Sequence, residues 1–343
     1  MKSILLILPY FGKLPEMFPF WLESCKLNKT VDFLIVTDQK LEPQSSNIIV
    51  RRMNLTDIKA RIEDYVGFEV YLEKPYKLCD FRPLYSYIFN EYVSEYDFWG
   101  YCDCDMIFGD IRHFITDELL GRYDYLLGMG HCHIQRVCDE KYENVWKSAR
   151  GLWRDIQWKE VFQSDKNEWF DELPYGVAGR YYELYPDRFW SGFASEGRCY
   201  ESPSSSYPYF YDIYNHIDVQ RRTIEYTNHI DRLPFWVRKP AEELNNVVYE
   251  KRGIELYAVG INSEGNVIKR PILYTHFYKR EFAFKTNNLQ QYIIRPNVFM
   301  KHKELSEIYL LFYSLALPER LELLQERIVR KIKSYNRISN KEL

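Results

Sequence analysis

The chain has 343 residues, 46% of them hydrophobic, with a formal net charge of -3 and a pI near 6.2. That length can bury one large core or two smaller ones, and the mild negative charge speaks against a nucleic-acid binder, whose footprint is a basic face. Seven scattered cysteines do not describe a disulfide framework and point to reduced thiols in a cytoplasm.

In chain order, residues 3–8 form an apolar run too short for a secretory leader and without a small-residue cleavage site; they read as a first strand. Residues 14–26 carry Phe18, Trp21, Leu22 and Cys25 at helical spacing. Residues 32–37 and 47–51 are further short apolar runs bounded by turn formers, as in buried parallel strands. Asn54 or Thr56 caps a predicted helix ending at Val66, and Arg82-Pro83 opens another reaching Ser94, proline being tolerated in a first turn. A fourth strand, 96–101, follows at once. Residues 110–120 read as a helix and 123–129 as a strand, so the sheet continues. From 139 to 240 the signal weakens into tryptophans and a Ser/Pro-rich stretch. Residues 254–261 and 266–269 suggest a hairpin around Asn262-Ser263-Glu264-Gly265, followed by a strand-like run ending at His276. No stretch reaches about 18 apolar residues, so no membrane span is expected.

The most informative feature is Tyr101-Cys102-Asp103-Cys104-Asp105-Met106, behind the fourth strand. In extended backbone, residues i and i+2 face one side, which would aim Asp103 and Asp105 at one spot and turn Cys102 and Cys104 away. Two carboxylates about 4 Å apart repel by about 4 kcal/mol at an effective dielectric near 20. A shared divalent cation reverses that, and hard oxygen ligands select Mg²⁺ or Mn²⁺.

The segments Pro9-Tyr10-Phe11-Gly12, Thr37-Asp38, Lys74 to Pro83, Tyr96 to Asp105, Phe170-Asp171-Glu172 and Tyr274-Thr275-His276-Phe277 resemble a bacterial glycosyltransferase-like family found among surface-polysaccharide genes. The resemblance implies an α/β fold of GT-A type: a Rossmann-like mixed sheet flanked by helices, with a helical or irregular acceptor-side region and a C-terminal helix. Residues 1–285 would be the glycosyltransferase domain, divided into a nucleotide-sugar half (1–135) and an acceptor-side half (136–285), and 286–343 a helical extension. It implies transfer of a sugar from a nucleoside-diphosphate donor, UDP foremost, to a saccharide or lipid-linked acceptor.

Donors bind beyond the carboxyl ends of strands in open α/β sheets, where Pro9, Tyr10, Thr37 and Asp38 fall. Tyr10 would stack on a base or simply pack, and Asp38 would accept from a ribose or base edge. Lys77, Asp80 and Arg82 stand at the mouth of the predicted helix, where cations and backbone N–H groups attract phosphate; Asp80 could instead be a helix cap. The resemblance makes His276 a third metal ligand beside Asp103 and Asp105, and sets Lys279 and Arg280 against the diphosphate. Asp171 or Glu172 would deprotonate the acceptor or brace the sugar, unless they are a solvated acidic pair.

Three other readings are weaker. Cys102, Cys104, His131, Cys132, His133 and Cys138 offer zinc ligands, but Cys-x-Cys is not the spacing of a structural zinc site; His131 and His133 would border the sugar or acceptor pocket. A haloacid-dehalogenase-type phosphatase wants Thr or Val where Ile107 stands. A noncatalytic carbohydrate-binding protein accounts for 30 tyrosines and eight tryptophans, whose rings suit sugar faces, but not for the acidic pair. In the tail, Leu321, Leu324, Ile328 and Ile332 share a helical face ringed by Arg327, Arg330, Lys331 and Lys333, which would either dock on the domain or lie peripherally on an anionic membrane.

Overall fold

A computed structural model of the chain describes residues 1–137, 139–151, 155–171, 176–190, 245–262, 264–277, 282–295, 298–306 and 309–310. Their strands are β1 (Ile4–Tyr10), β2 (Asp32–Thr37), β3 (Ile48–Arg52), β4 (Phe98–Cys102), β5 (Met106–Phe108), β6 (Tyr125–Met129), β7 (Cys132–Arg136), β8 (Phe189–Trp190), β9 (Asn245–Arg252), β10 (Glu255–Ile261), β11 (Val267–Pro271), β12 (Tyr274–His276), β13 (Ala283–Lys285), β14 (Gln291–Arg295) and β15 (Val298–Lys301). The fold is mixed α/β. A seven-stranded sheet runs β3-β2-β1-β4-β7-β6-β8, a six-stranded sheet runs β11-β10-β9-β14-β15-β13, and β12 pairs with β5.

The strands predicted at 3–8, 32–37, 47–51 and 96–101 are β1 to β4, and they pair in parallel. Their unbroken hydrophobicity follows from burial on both faces. Leu5 and Ile7 point into one core cluster, with Ile58 and Ile62 of the helix α2 (Leu55–Val66). Ile4, Leu6 and Leu8 point into the other, with Trp21, Leu22 and Cys25 of the helix α1 (Phe18–Leu27). The α2 start follows the expected chemistry, since Asn54 and Asp57 form a capping box, and Gly67 ends the helix at φ 78°.

The predicted strand at 123–129 becomes β6 and joins the sheet through β7, which is antiparallel to β4. Between β4 and β7 the backbones approach so closely that a Cβ on Gly100 would lie 1.9 Å from the His133 carbonyl oxygen. The hairpin predicted from 254 to 269 is β10 and β11.

Three expectations require correction. No continuous helix runs from 82 to 94: a 3-10 helix spans Pro75–Leu84, followed by single turns at Tyr85–Ile88 and Asn90–Val93, which are separated at Phe89 by a non-helical backbone at φ -119° and ψ 26°. The helix predicted at 110–120 is two short ones, Ile111–Phe114 capped by Asp110 and Asp117–Arg122 capped by Thr116. The region 286–343 does not begin as a helical extension, since β14 pairs with β9 and β15 pairs with β14. Tyr292, Ile294 and Phe299 there enter a core with Met17, Phe20 and Ile107. The basic tail from 318 onward lies outside the described residues. Among the described residues, no helix is long and apolar enough to cross a membrane.

Candidate metal and donor site

The Asp-x-Asp segment is the junction between two sheets. β4 ends at Cys102 and the chain bends through 103–105 before β5 begins. Each aspartate is fixed by one more rung of the ladder on its own side: the Asp103 N–H donates to the His131 carbonyl at 3.0 Å, and the Phe277 N–H donates to the Asp105 carbonyl at 2.8 Å. A flat extended strand was expected, yet the carboxylates converge across the bend, while Cys102 and Cys104 turn into the core.

His276 enters through the β5–β12 register, which sets it opposite Met106. Its Nε2 lies 3.3 Å from Asp105 Oδ1. One ligand atom from each of Asp103, Asp105 and His276 falls within 4.8 Å of the others. Among the described residues this is the one such group of three, and two hard carboxylates with an imidazole nitrogen fit Mn²⁺ or Mg²⁺ better than a soft metal. Both carboxylates keep access to solvent, with 33% and 30% of each side chain exposed. Desolvation raises the Asp103 pKa above the usual carboxylate range, with Asp105 adding to it, while Arg82 and His276 oppose the rise.

The His276 ring is held from behind. His131 stacks on it with centroids 4.0 Å apart and planes 7° from parallel, and His131 Nε2 lies 3.0 Å from the Tyr274 hydroxyl. Burial, then His276, pushes the His131 pKa well down, which favours the neutral ring. His133, expected beside it in the pocket, is a core residue enclosed by Trp99, Tyr101 and Tyr125.

Pro9 and Tyr10 end β1, with Tyr10 opposite Thr37 of β2. Desolvation raises the Tyr10 pKa, followed by the charges of Cys104 and Asp105, and its hydroxyl donates to the Lys13 carbonyl at 3.3 Å. Thr37 is buried, and its hydroxyl accepts from the Gln39 N–H at 3.2 Å. Asp38 Oδ1 accepts from the Gln39 amide at 2.8 Å and from the Gly12 N–H at 3.0 Å, which hold its pKa below the usual range. It thereby ties the end of β2 to the turn after β1.

Lys77 and Asp80 are not where a phosphate could reach them. The Lys77 ammonium is buried and donates to Asp80 and to the carbonyls of Val161 and Lys166. Asp80 is neither a helix cap nor a ligand: it accepts from Lys77 and from the Glu168 and Phe170 N–H groups. Burial raises its pKa against the pull of Lys77. Together they dock the 161–171 segment on the 3-10 helix. At its end Asp171, fully buried, accepts from Arg82 Nη1 at 2.8 Å, and Arg82 Nη2 donates to Asp103 Oδ1. Desolvation lifts Asp171 to about 6 against the opposing pull of Arg82. Burial works against the charge on Arg82, but Asp103, Cys79 and Asp171 hold its pKa well above the ordinary value. Glu172, Lys279 and Arg280 lie outside the described residues.

The chain belongs to a family of unknown function, DUF6625, whose model matches residues 6–303. No curated protein matches it. Among solved structures it is similar to the glycosyltransferase GlyE of Streptococcus pneumoniae TIGR4, with 12% identity and TM-score 0.32, over 70% of this chain and 53% of that one. The chain thus spans about half the length of the GlyE chain. It is also similar to an active-site mutant of LgtC, with 12% identity and TM-score 0.36, over 81% of this chain and 88% of that one. At these scores neither likeness extends to activity, donor or acceptor.

Proposed function

We propose that this protein is a metal-dependent glycosyltransferase that moves a sugar from a nucleoside diphosphate, UDP first among the candidates, to a saccharide or lipid-linked acceptor in bacterial surface-polysaccharide synthesis. The observation that carries the reading is the convergence of Asp103, Asp105 and His276 just beyond the carboxyl end of β4, which runs parallel to β1, the kind of place where open α/β sheets take nucleotides. When bound there, Mn²⁺ or Mg²⁺ would supply charge to a departing diphosphate.

The chain's own residues divide the remaining work. Tyr10 and Asp38, at the ends of β1 and β2, are the candidates to hold the base and ribose, with Pro9 and Thr37 shaping that edge. Lys279 and Arg280 follow β12 closely and remain the candidates for the diphosphate. Asp171 is the candidate to accept the acceptor's proton, with Glu172 beside it in sequence. The alternative, a noncatalytic carbohydrate-binding module, accounts for the tyrosines but not for the acidic pair.

The test is turnover of a panel of nucleotide-sugars with and without Mn²⁺. Nucleotide release with at least one donor, dependent on the metal and lost in Asp105→Asn, is the expected result. Metal-independent turnover, or an Asp105→Asn variant as active as the parent, overturns the assignment.

A further inference from the structure

The sequence suggests Arg82 as a phosphate ligand, but its guanidinium is engaged elsewhere. Nη1 reaches Asp171 and Nη2 reaches Asp103, carboxylates 89 and 21 residues away in sequence. The side chain is only 10% exposed, and its guanidinium carbon sits 5.1 Å from the Tyr101 ring centroid. Backbone on both sides is pinned: Asp80, two residues earlier, grips the N–H groups of Glu168 and Phe170, and Pro83 follows. Asp171 uses Oδ2 for Arg82, and no described residue donates to its buried Oδ1. A buried carboxylate oxygen without a donor is costly, and its presence calls for an explanation.

From this geometry we infer that Arg82 is a positioning residue. The planar fork of one guanidinium sets the spacing between the metal-side carboxylate of Asp103 and the buried carboxylate of Asp171, so that the position of the Asp171 segment is coupled to the metal site. A lysine has a single nitrogen and cannot hold two carboxylates in fixed register. The inference rests on the glycosyltransferase reading and assigns Arg82 a role that reading does not need.

The experiment compares wild type, Arg82→Lys, Arg82→Gln, Asp171→Asn and the double variant Arg82→Lys/Asp171→Asn, in Mn²⁺ binding, UDP affinity and turnover. Arg82→Lys should lower kcat about 100-fold, the scale of a 1 Å misplacement, and Arg82→Gln further. Both should keep UDP affinity within about threefold; Mn²⁺ affinity should stay within about threefold of wild type in Arg82→Lys, which keeps a positive charge, and be at or above wild type in Arg82→Gln, where the cation neighbouring Asp103 is removed. The double variant should be no slower than Asp171→Asn alone, because both changes disable one unit. Multiplying defects, a UDP affinity reduced tenfold or more in Arg82→Lys, or a fully active Arg82→Lys overturns the inference. Absence of Mn²⁺ binding in wild type defeats the glycosyltransferase reading itself, a result distinct from these. If Arg82→Gln does not fold, Arg82→Lys and the double variant still decide.

Discussion

Asp171 carries the clearest pH signature. Burial raises it to about 6 although Arg82 pulls the other way, and in the proposed role of proton acceptor it must be ionised. We predict that kcat/KM falls about tenfold per pH unit below pH 6 and that Asp171→Asn abolishes this limb. The stability sign follows from the same shift. The folded pKa exceeds the ordinary carboxylate value near 3.9, so between about pH 4 and 6 the folded state binds more protons, and this residue's contribution to stability falls as pH rises through that window, then levels. Thermal unfolding of wild type and Asp171→Asn across pH 4 to 7 reads it directly. His276→Ala should weaken Mn²⁺ binding at least tenfold, measured by titration on the purified protein, while His131→Phe, which retains a flat ring against His276, should weaken it less than His131→Ala.

Two elements decide the site's shape. The β4–β7 pair carries Asp103 on one strand and ends beside His131 on the other, and its close approach leaves no room at Gly100. Gly100→Ala would press a methyl into the backbone of His133, with neither strand able to retreat from a fully buried sheet. We expect a loss of about 3 kcal/mol or more in denaturant unfolding, together with weakened metal binding. The 3-10 helix Pro75–Leu84 is the second element. Read as the mouth of an α-helix it offers two cations, Lys77 and Arg82, to a phosphate; as a 3-10 helix it spends Lys77 and Asp80 on docking the 161–171 segment.

At the scale of the whole molecule, the seven-stranded sheet, β5–β12 and the six-stranded sheet meet around the acidic junction. Buried Lys251 of β9 donates to the Phe108 carbonyl at the end of β5, and burial lowers its pKa to about 7. The Lys77–Asp80 pair, with side chains 2% and 0% exposed, anchors Asp171 in the same way. Lys77→Met leaves Asp80 as an unpaired buried charge and should cost about 3–5 kcal/mol, measured by chemical denaturation. Because the 161–171 segment would come loose, turnover should fall in the surviving folded protein while Mn²⁺ affinity stays within about threefold of wild type.

Local pattern was enough to read the parallel strands, α1, the α2 cap and the acidic motif, because these depend on side-chain period and on contacts a few residues apart. The convergence of Asp103 and Asp105 was also legible, although the reason proved to be a bend between sheets, not a flat strand. His276 could be suggested only by resemblance, since its place depends on β12 pairing with β5 from a distant part of the chain. The Arg82 bridge had no signal in the chain: nothing in the local sequence distinguishes an arginine that meets phosphate from one that spans two carboxylates. Likewise Lys77 looked free until the 161–171 segment covered it. Long-range pairing and burial decide which charges remain available, and those are properties of the assembled chain.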